Sequence, residues 1–258
     1  MALSWIPDGG EVLIQGASRG IGLEFVRQCL AETRVGTVWA TCRDPANASD
    51  LQELARASDG RLRLVALDCT DDTSVRQAAE KVREAGARLH LLVNAAGLLH
   101  DRSRSIRPEK RLEDVTPEAL TTLFQVNAAG PLLVARHFRP LLGHGDPAVF
   151  AAISARVGSI GDNGKGGWYA YRGSKAALNQ YIRTLAIELG RRAPAVTCAA
   201  LHPGTTNTDL SAPFQAWVPA EQLFPVARTV AQLLQVMAGL GPEDSGGFFA
   251  WDGQPIPW

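Results

Sequence analysis

The stretch that decides the fold reads EVLIQ at 11–15 and continues as Gly16-Ala17-Ser18-Arg19-Gly20-Ile21-Gly22. A short apolar run passes directly into glycines spaced G-x-x-x-G-x-G, after which Leu23, Val26 and Leu30 share the turns of a helix. Glycines so placed let the chain turn tightly and let its backbone approach an anion seated on the N-terminus of the next helix. The stretch predicts a buried strand, a helix starting at Gly20, and between them a turn in which Gly16, Ser18, Arg19, Gly20 and Ile21 cradle a pyrophosphate.

Outward from that turn, further apolar runs follow: TVWAT (37–41), LRLVAL (62–67), LHLLVN (89–94), PAVFAAI (147–153), AVTCAAL (195–201) and GGFFAW (246–251). Most are apolar throughout and do not alternate, as expected of strands buried on both faces of a parallel sheet. Segments of helical period at 47–58, 71–86, 117–142, 168–190 and 226–240 separate them. The expectation is a single-domain α/β fold over 1–258: a Rossmann-type, doubly wound, parallel seven-stranded sheet with helices on both faces. The cofactor half falls mainly at 11–150, and the catalytic and substrate loops mainly at 151–225. Two loops exceed ordinary length, 98–116 and 202–225, and long loops at strand carboxyl ends usually cover a ligand. Within the first, DRSRSIRPEKR (101–111) reads as a solvated surface segment.

Composition narrows the function. Among 258 residues, 26 Lys and Arg balance 26 Asp and Glu, which argues against a nucleic-acid partner or an anionic membrane, since either needs a basic patch. No run of about 18 apolar residues predicts a membrane span, and MALSWIPDGG lacks the basic and apolar regions of a secretion signal. Cys29, Cys42, Cys69 and Cys198 stand far apart with no metal-ligand spacing. They read as reduced thiols of a cytoplasmic protein with no bound metal.

Charge suggests which dinucleotide is bound. Users of NAD commonly end the second strand with a carboxylate for the ribose hydroxyls, but here that strand ends Ala40-Thr41-Cys42-Arg43, with no acid before Asp44. Arg43 and Arg19 can together grip a 2′-phosphate by charge-assisted hydrogen bonds, so NADPH is expected over NADH. Tyr171 and Lys175 stand four apart near the start of a helical segment, on one face. Lowering a phenol from pKa about 10 by about 3 units takes roughly 4 kcal/mol. An ammonium about 5 Å away at an effective dielectric near 20 supplies roughly 3 kcal/mol, and the positive ring of oxidised nicotinamide can add the rest. The two residues therefore make a sufficient acid–base pair. In the segment 117–142, Pro131 has no N–H for the carbonyl of Asn127, which is left to hold a water at a kink.

The glycine turn, Asn94-Ala95-Ala96-Gly97 after the fourth strand, Asn127, Tyr171 with Lys175, and Pro203-Gly204 occur in one order with ordinary spacings. Together they resemble the short-chain dehydrogenase/reductase superfamily over nearly the whole chain. ARVGSIGDNGKGGWYAYRGSKAALN (155–179), LHPGTTNTDLS (201–211) and FFAWDGQPIPW look like its C-factor and sniffer branch, near the carbonyl reductases. The resemblance implies a reductase of aldehydes or ketones, or a dehydrogenase of the alcohols, with Tyr171 as general acid/base, Lys175 lowering its pKa, and Asn127 holding a relay water. It also implies that Asn94, Ala95 and Gly97 shape the cofactor floor and that Asp68 meets the adenine. Lys175 would hold the nicotinamide ribose, and Pro203, Gly204, Thr206 and Thr208 the carboxamide and phosphate side. Two positions depart from the family pattern. Gln15 replaces the usual threonine. Ala155 replaces the usual serine, leaving Ser154 as the favoured donor to the substrate oxygen and Ser159 as the alternative. Trp168, Phe214 and Trp217 flank the substrate loops and suggest an apolar carbonyl compound, though each serves equally as core packing. Segments 117–142 and 168–190 are expected to pair with their copies in a homodimer or homotetramer. The other reading is a cofactor-binding signalling protein of the C-factor type with little turnover.

Overall fold

The computed structural model describes residues 3–258. Its elements run β1 (Gly10–Gln15), α1 (Gly20–Ala31), β2 (Val35–Cys42), α2 (Ser49–Ala57), β3 (Leu62–Ala66), α3 (Asp72–Glu84) and β4 (Leu89–Asn94). There follow α4 (Pro117–Phe124), α5 (Gly130–Leu142), β5 (Ala148–Ile153), α6 (Tyr169–Arg192), β6 (Val196–His202), β7 (Thr205–Thr206), β8 (Leu223–Phe224), α7 (Val226–Ala238) and β9 (Gly247–Ala250). Seven strands form one sheet in the order β3-β2-β1-β4-β5-β6-β9, every pair parallel. The chain is thus a single-domain Rossmann-type α/β protein.

The apolar runs are explained by what covers each face. Val12, Ile14, Leu91, Val93, Val149, Ala151, Ala199 and Leu201 point to one side, where Phe25 and Val26 of α1 and Leu233 of α7 bury them. Leu13, Leu92, Phe150, Ala152, Cys198 and Ala200 point to the other, against Val75 of α3, Phe138 of α5 and Leu178 and Ile182 of α6. Burying each such large side chain contributes about 1.5–3 kcal/mol. The strand order reverses between β1 and β4, which opens a crevice outside their carboxyl ends. The glycine turn and the Asn94–Gly97 segment both lie there.

Three expectations change. The helical segment 117–142 divides into α4, a π-helical turn at Gln125–Ala129, and α5. Gly130 N–H reaches the Gln125 carbonyl five residues back. The next residue, Pro131, lacks the N–H that would continue the ordinary ladder. Loop 98–116 is not solvated throughout: Leu99, Ile106 and Glu109 are buried, and Asp101 bridges Ile106 by two backbone hydrogen bonds. Loop 202–225 carries the small parallel ladder of β7 with β8. None of the described helices is long and apolar enough to cross a membrane.

Candidate active site

The glycine turn is built so tightly that side chains cannot enter it. Gly16 has φ +80°, and a Cβ there would lie 2.5 Å from the Ala96 nitrogen. A Cβ on Gly22 would lie 2.1 Å from the Gly16 carbonyl oxygen. Arg19 occupies the N-cap of α1 without capping it by its side chain, so no side chain competes with an anion for the helix terminus. Gln15 fills the place of the family threonine with a longer reach: its Oε1 accepts from Ala96 N–H at 3.4 Å, and its carbonyl accepts from Ala95 N–H at 2.8 Å. The turn and the Asn94–Gly97 segment are thereby tied together. These features fit a dinucleotide: a close backbone approach, an uncapped helix start and a braced floor.

Beyond the turn, Ser18, Cys42, Arg43, Asp44 and Asn47 line an open cleft. The Arg43 side chain is exposed there, with no hydrogen bond or ion pair among the described residues. Asp44, the first acid after β2, is occupied by Asn47, whose backbone N–H and Nδ2 both donate to it. Those bonds hold its carboxyl below the usual range. Arg19 faces Asp209 at 3.7 Å, with both side chains largely exposed, so the pair is weak. Asp68 accepts from the backbone N–H and hydroxyl of Thr70 and lines neither this cleft nor the cavity described next.

A second cavity lies at the carboxyl ends of β4, β5 and β6. Ile21, Ala95, Gly97, Ser154, Tyr171 and Lys175 line it, together with Pro203, Gly204, Thr206 and Thr208. Asn94 and Asn127 lie buried nearby and are not part of its wall. Lys175 Nζ donates to the Ile153 carbonyl at 2.7 Å and stands 5.8 Å from the centre of the Tyr171 ring. Burial pushes the Tyr171 phenol above its ordinary value and lowers Lys175 to about 7. Burial thus opposes the expected lowering of the phenol, since desolvation disfavours the charged form of both residues. Tyr171 is a protonated acid in this state.

Asn127 turns its side chain, not only its carbonyl, to use. Its Oδ1 accepts from Leu98 N–H, and its Nδ2 donates to the Leu98 carbonyl and to Ser174 Oγ, which donates to the Tyr171 carbonyl. The π-turn thus clamps the floor segment to α6. At the other end of Tyr171, Trp168 caps α6 with φ 53°. Its ring packs 5.1 Å from Phe214 and 6.2 Å from Tyr171, centre to centre. Trp217 is three-quarters exposed.

The two candidate serines separate clearly. Ser154 lines the cavity, and its Oγ donates to Asn179 Oδ1 at 2.6 Å. Ser159 faces the C-terminal segment: its Oγ donates to the Trp258 carbonyl and accepts from Asp162 N–H. Three residues of the site escape a reading of the sequence. Glu109, buried, accepts from Ala170 N–H through its carboxylate and from Trp168 N–H through its carbonyl, so it fixes the start of α6. His202 lines the cavity, its Nδ1 unpartnered among the described residues; burial and then Arg156 lower its pKa to about 4, so it is neutral. Asn179 is the third. Polar residues in apolar company are the one signal the sequence offers for them.

A doubly wound sheet with a glycine turn at its switch point and an acid–base cavity alongside defines a nicotinamide-dependent oxidoreductase. The short chain dehydrogenase family model matches residues 11–219, and the chain belongs to that family. Among solved structures, it is similar to NADPH-bound carbonyl reductase from chicken fatty liver, with TM-score 0.86 and 32% identity, covering 98% of this chain and 95% of that one. It is also similar to the carbonyl reductase Sniffer of D. melanogaster, with TM-score 0.84 and 26% identity, covering 97% and 100%. The C-signal of Myxococcus xanthus is 37% identical over 147 residues, 57% of this chain and 83% of its own.

Proposed function

We propose that the protein reduces an apolar aldehyde or ketone to its alcohol, or runs the reverse, and that it prefers NADPH. The observation that carries this reading is the meeting of Tyr171, Lys175 and Ser154 in one cavity beside the glycine turn. The turn and the α1 terminus would hold the pyrophosphate, Arg43 the 2′-phosphate, and Lys175, Gly204, Thr206 and Thr208 the nicotinamide end. The bound dinucleotide supplies or takes a hydride. Tyr171, protonated by virtue of its burial, gives its proton to the carbonyl oxygen as the alcohol forms. Lys175 stabilises the phenolate that remains, and a water on the Asn127 carbonyl returns a proton from solvent. Ser154 donates to the same oxygen. Trp168, Phe214 and Leu210 form an apolar wall against Tyr171, which favours a hydrophobic substituent on the carbonyl.

Leu120, Phe124, Leu132 and Ile187 are exposed on α4, α5 and α6, and covering them supports a homodimer or homotetramer. Four buried free thiols fit a reducing compartment such as the cytoplasm. The similarity to C-signal, together with Ala155, supports a second reading: a cofactor-binding signalling protein with little turnover. NADPH oxidation against a panel of aldehydes, ketones and diketones separates the two. Turnover of an apolar carbonyl supports the reductase. NADPH binding without turnover of any panel member favours the signalling reading.

A further inference from the structure

We infer that Asn179 is a positioning residue that directs the single hydroxyl proton of Ser154 toward the substrate oxygen. The inference rests on the reductase reading, in which Ser154 is the second donor to that oxygen. Ser154 and Asn179 are 2% and 3% exposed, and Ser154 Oγ donates to Asn179 Oδ1 at 2.6 Å. A serine hydroxyl carries one proton. While Asn179 holds it, a carbonyl in the cavity cannot receive it.

The other end of the same amide is unsatisfied: Asn179 Nδ2 is buried with no partner among the described residues. Asn127, equally buried on the same side of the sheet, has both ends of its amide paired. A half-partnered amide beside a serine is a different object, because buried donors are ordinarily matched. A half turn about the terminal torsion of Asn179 exchanges Nδ2 and Oδ1, and that torsion is broad and roughly two-fold, so the turned amide is not strained. Nδ2 then donates to Ser154 Oγ. The serine proton is released into the cavity shared with Tyr171 and Lys175.

The strand register indicates what receives the turned oxygen. Ile153 pairs with Leu201 across β5 and β6, and Ser154 N–H reaches the Leu201 carbonyl. Ser154 and His202 therefore leave the sheet side by side, on the face that α6 covers, along with Ala152 and Ala200. Nδ1 of His202 is the second buried nitrogen there without a described partner. A neutral imidazole protonated on Nδ1 is a donor, and an Asn179 oxygen turned away from Ser154 is an acceptor. The titratable groups around the serine are then Tyr171, Lys175 and His202, and Arg156, Asp162 and Asp252 act in turn on His202. Substrate binding, by offering Ser154 an acceptor, selects the turned amide.

The test compares kcat, KM and NADPH affinity across pH for the wild type and for Ser154→Ala, Asn179→Asp and Asn179→Leu, with the most rapidly reduced carbonyl of the panel. The Asn179→Asp variant presents a carboxylate that only accepts, so it pins the serine proton. Its kcat should fall about a hundredfold, matching Ser154→Ala, with NADPH affinity unchanged. Lowering the pH protonates that carboxyl, which then donates to Ser154 Oγ, so kcat should recover on the acid side in this variant alone. Should Asn179→Asp not fold, Asn179→Leu carries the test: its kcat should fall, and adding it to Ser154→Ala should cost nothing further. A kcat for Asn179→Asp equal to that of the wild type overturns the inference, and so does a reduced kcat without acid recovery. An Asn179→Leu loss of the same size with and without Ser154 also overturns it, since that marks a merely structural role. Retention of turnover by Tyr171→Phe instead overturns the reductase reading itself, so the two failures are distinguishable.

Discussion

Replacing Lys175 by Met should give a protein that is more stable and no longer turns over. Lys175 is 2% exposed, and burial lowers its pKa from 10.5 to about 7. At about 1.36 kcal/mol for each tenfold change in proton affinity, the charged form is disfavoured by about 5 kcal/mol. Met keeps the stem and removes the ammonium. The loss of Nζ also leaves the Ile153 carbonyl without its 2.7 Å donor, a cost of roughly 1–3 kcal/mol. The net gain is roughly 2–4 kcal/mol at pH 7 and below, a rise in Tm on the order of 10 °C for a chain of this size. The sign with pH follows from proton binding. Between about pH 7 and 10.5 the unfolded chain carries a proton on Lys175 that the folded protein has shed, so wild-type stability rises with pH across that window. Lys175→Met should lack this rise, so the two stabilities should cross as the pH climbs, wild type ending ahead by roughly the 1–3 kcal/mol of the lost hydrogen bond. Denaturant unfolding of the cofactor-free proteins from pH 6 to 10 measures both. A variant less stable than wild type at pH 6.5, with the same pH dependence, would mean that burial of the Lys175 ammonium carries no such cost.

Other outcomes follow from the cofactor side and the surface. Arg43→Ala should weaken NADPH binding about ten- to a hundredfold, the loss of one charged hydrogen-bonding partner, while sparing NADH; an equal loss for both contradicts the assignment of the 2′-phosphate. Gly16→Ala must place a Cβ 2.5 Å from the Ala96 nitrogen at φ +80°, so titration should show NADPH affinity lost and thermal unfolding a lower Tm; wild-type values for both refute a tight cradle. Light scattering at micromolar concentration should report twice or four times the chain mass, and a monomer would leave the apolar residues of α4, α5 and α6 uncovered.

Much of this molecule is legible in its sequence, and the boundary is physical. Strands β4, β5 and β6 are mostly apolar because helices cover both faces, so composition marks them despite His90, Asn94, Thr197 and His202. The glycine turn is legible because only glycine fits at Gly16 and Gly22. Pro131 signals a break in its helix, but a π-turn with Asn127 clamped to α6 depends on Leu98 and Ser174, which no local pattern reveals. Glu109 looks like part of a charged loop until its bond to Ala170, 61 residues on, is known. The partner of Ser154 lies 25 residues away on α6, so sequence narrows the donor to two serines and stops. The upward shift of the Tyr171 phenol departs from the expected lowering for a related reason: charge proximity follows from spacing, whereas the depth of burial that opposes it is a property of the assembled cavity.

The proposed carbonyl reduction with NADPH depends above all on Tyr171 as proton donor. The most direct measurement sets NADPH oxidation by wild type and Tyr171→Phe side by side, over the carbonyl panel, with NADPH affinity of each from fluorescence titration. The expected result is turnover of at least one apolar carbonyl by the wild type, none by Tyr171→Phe, and nearly equal NADPH affinity, since the phenol moves a proton and does not grip the cofactor. Turnover by Tyr171→Phe at the wild-type rate would contradict it.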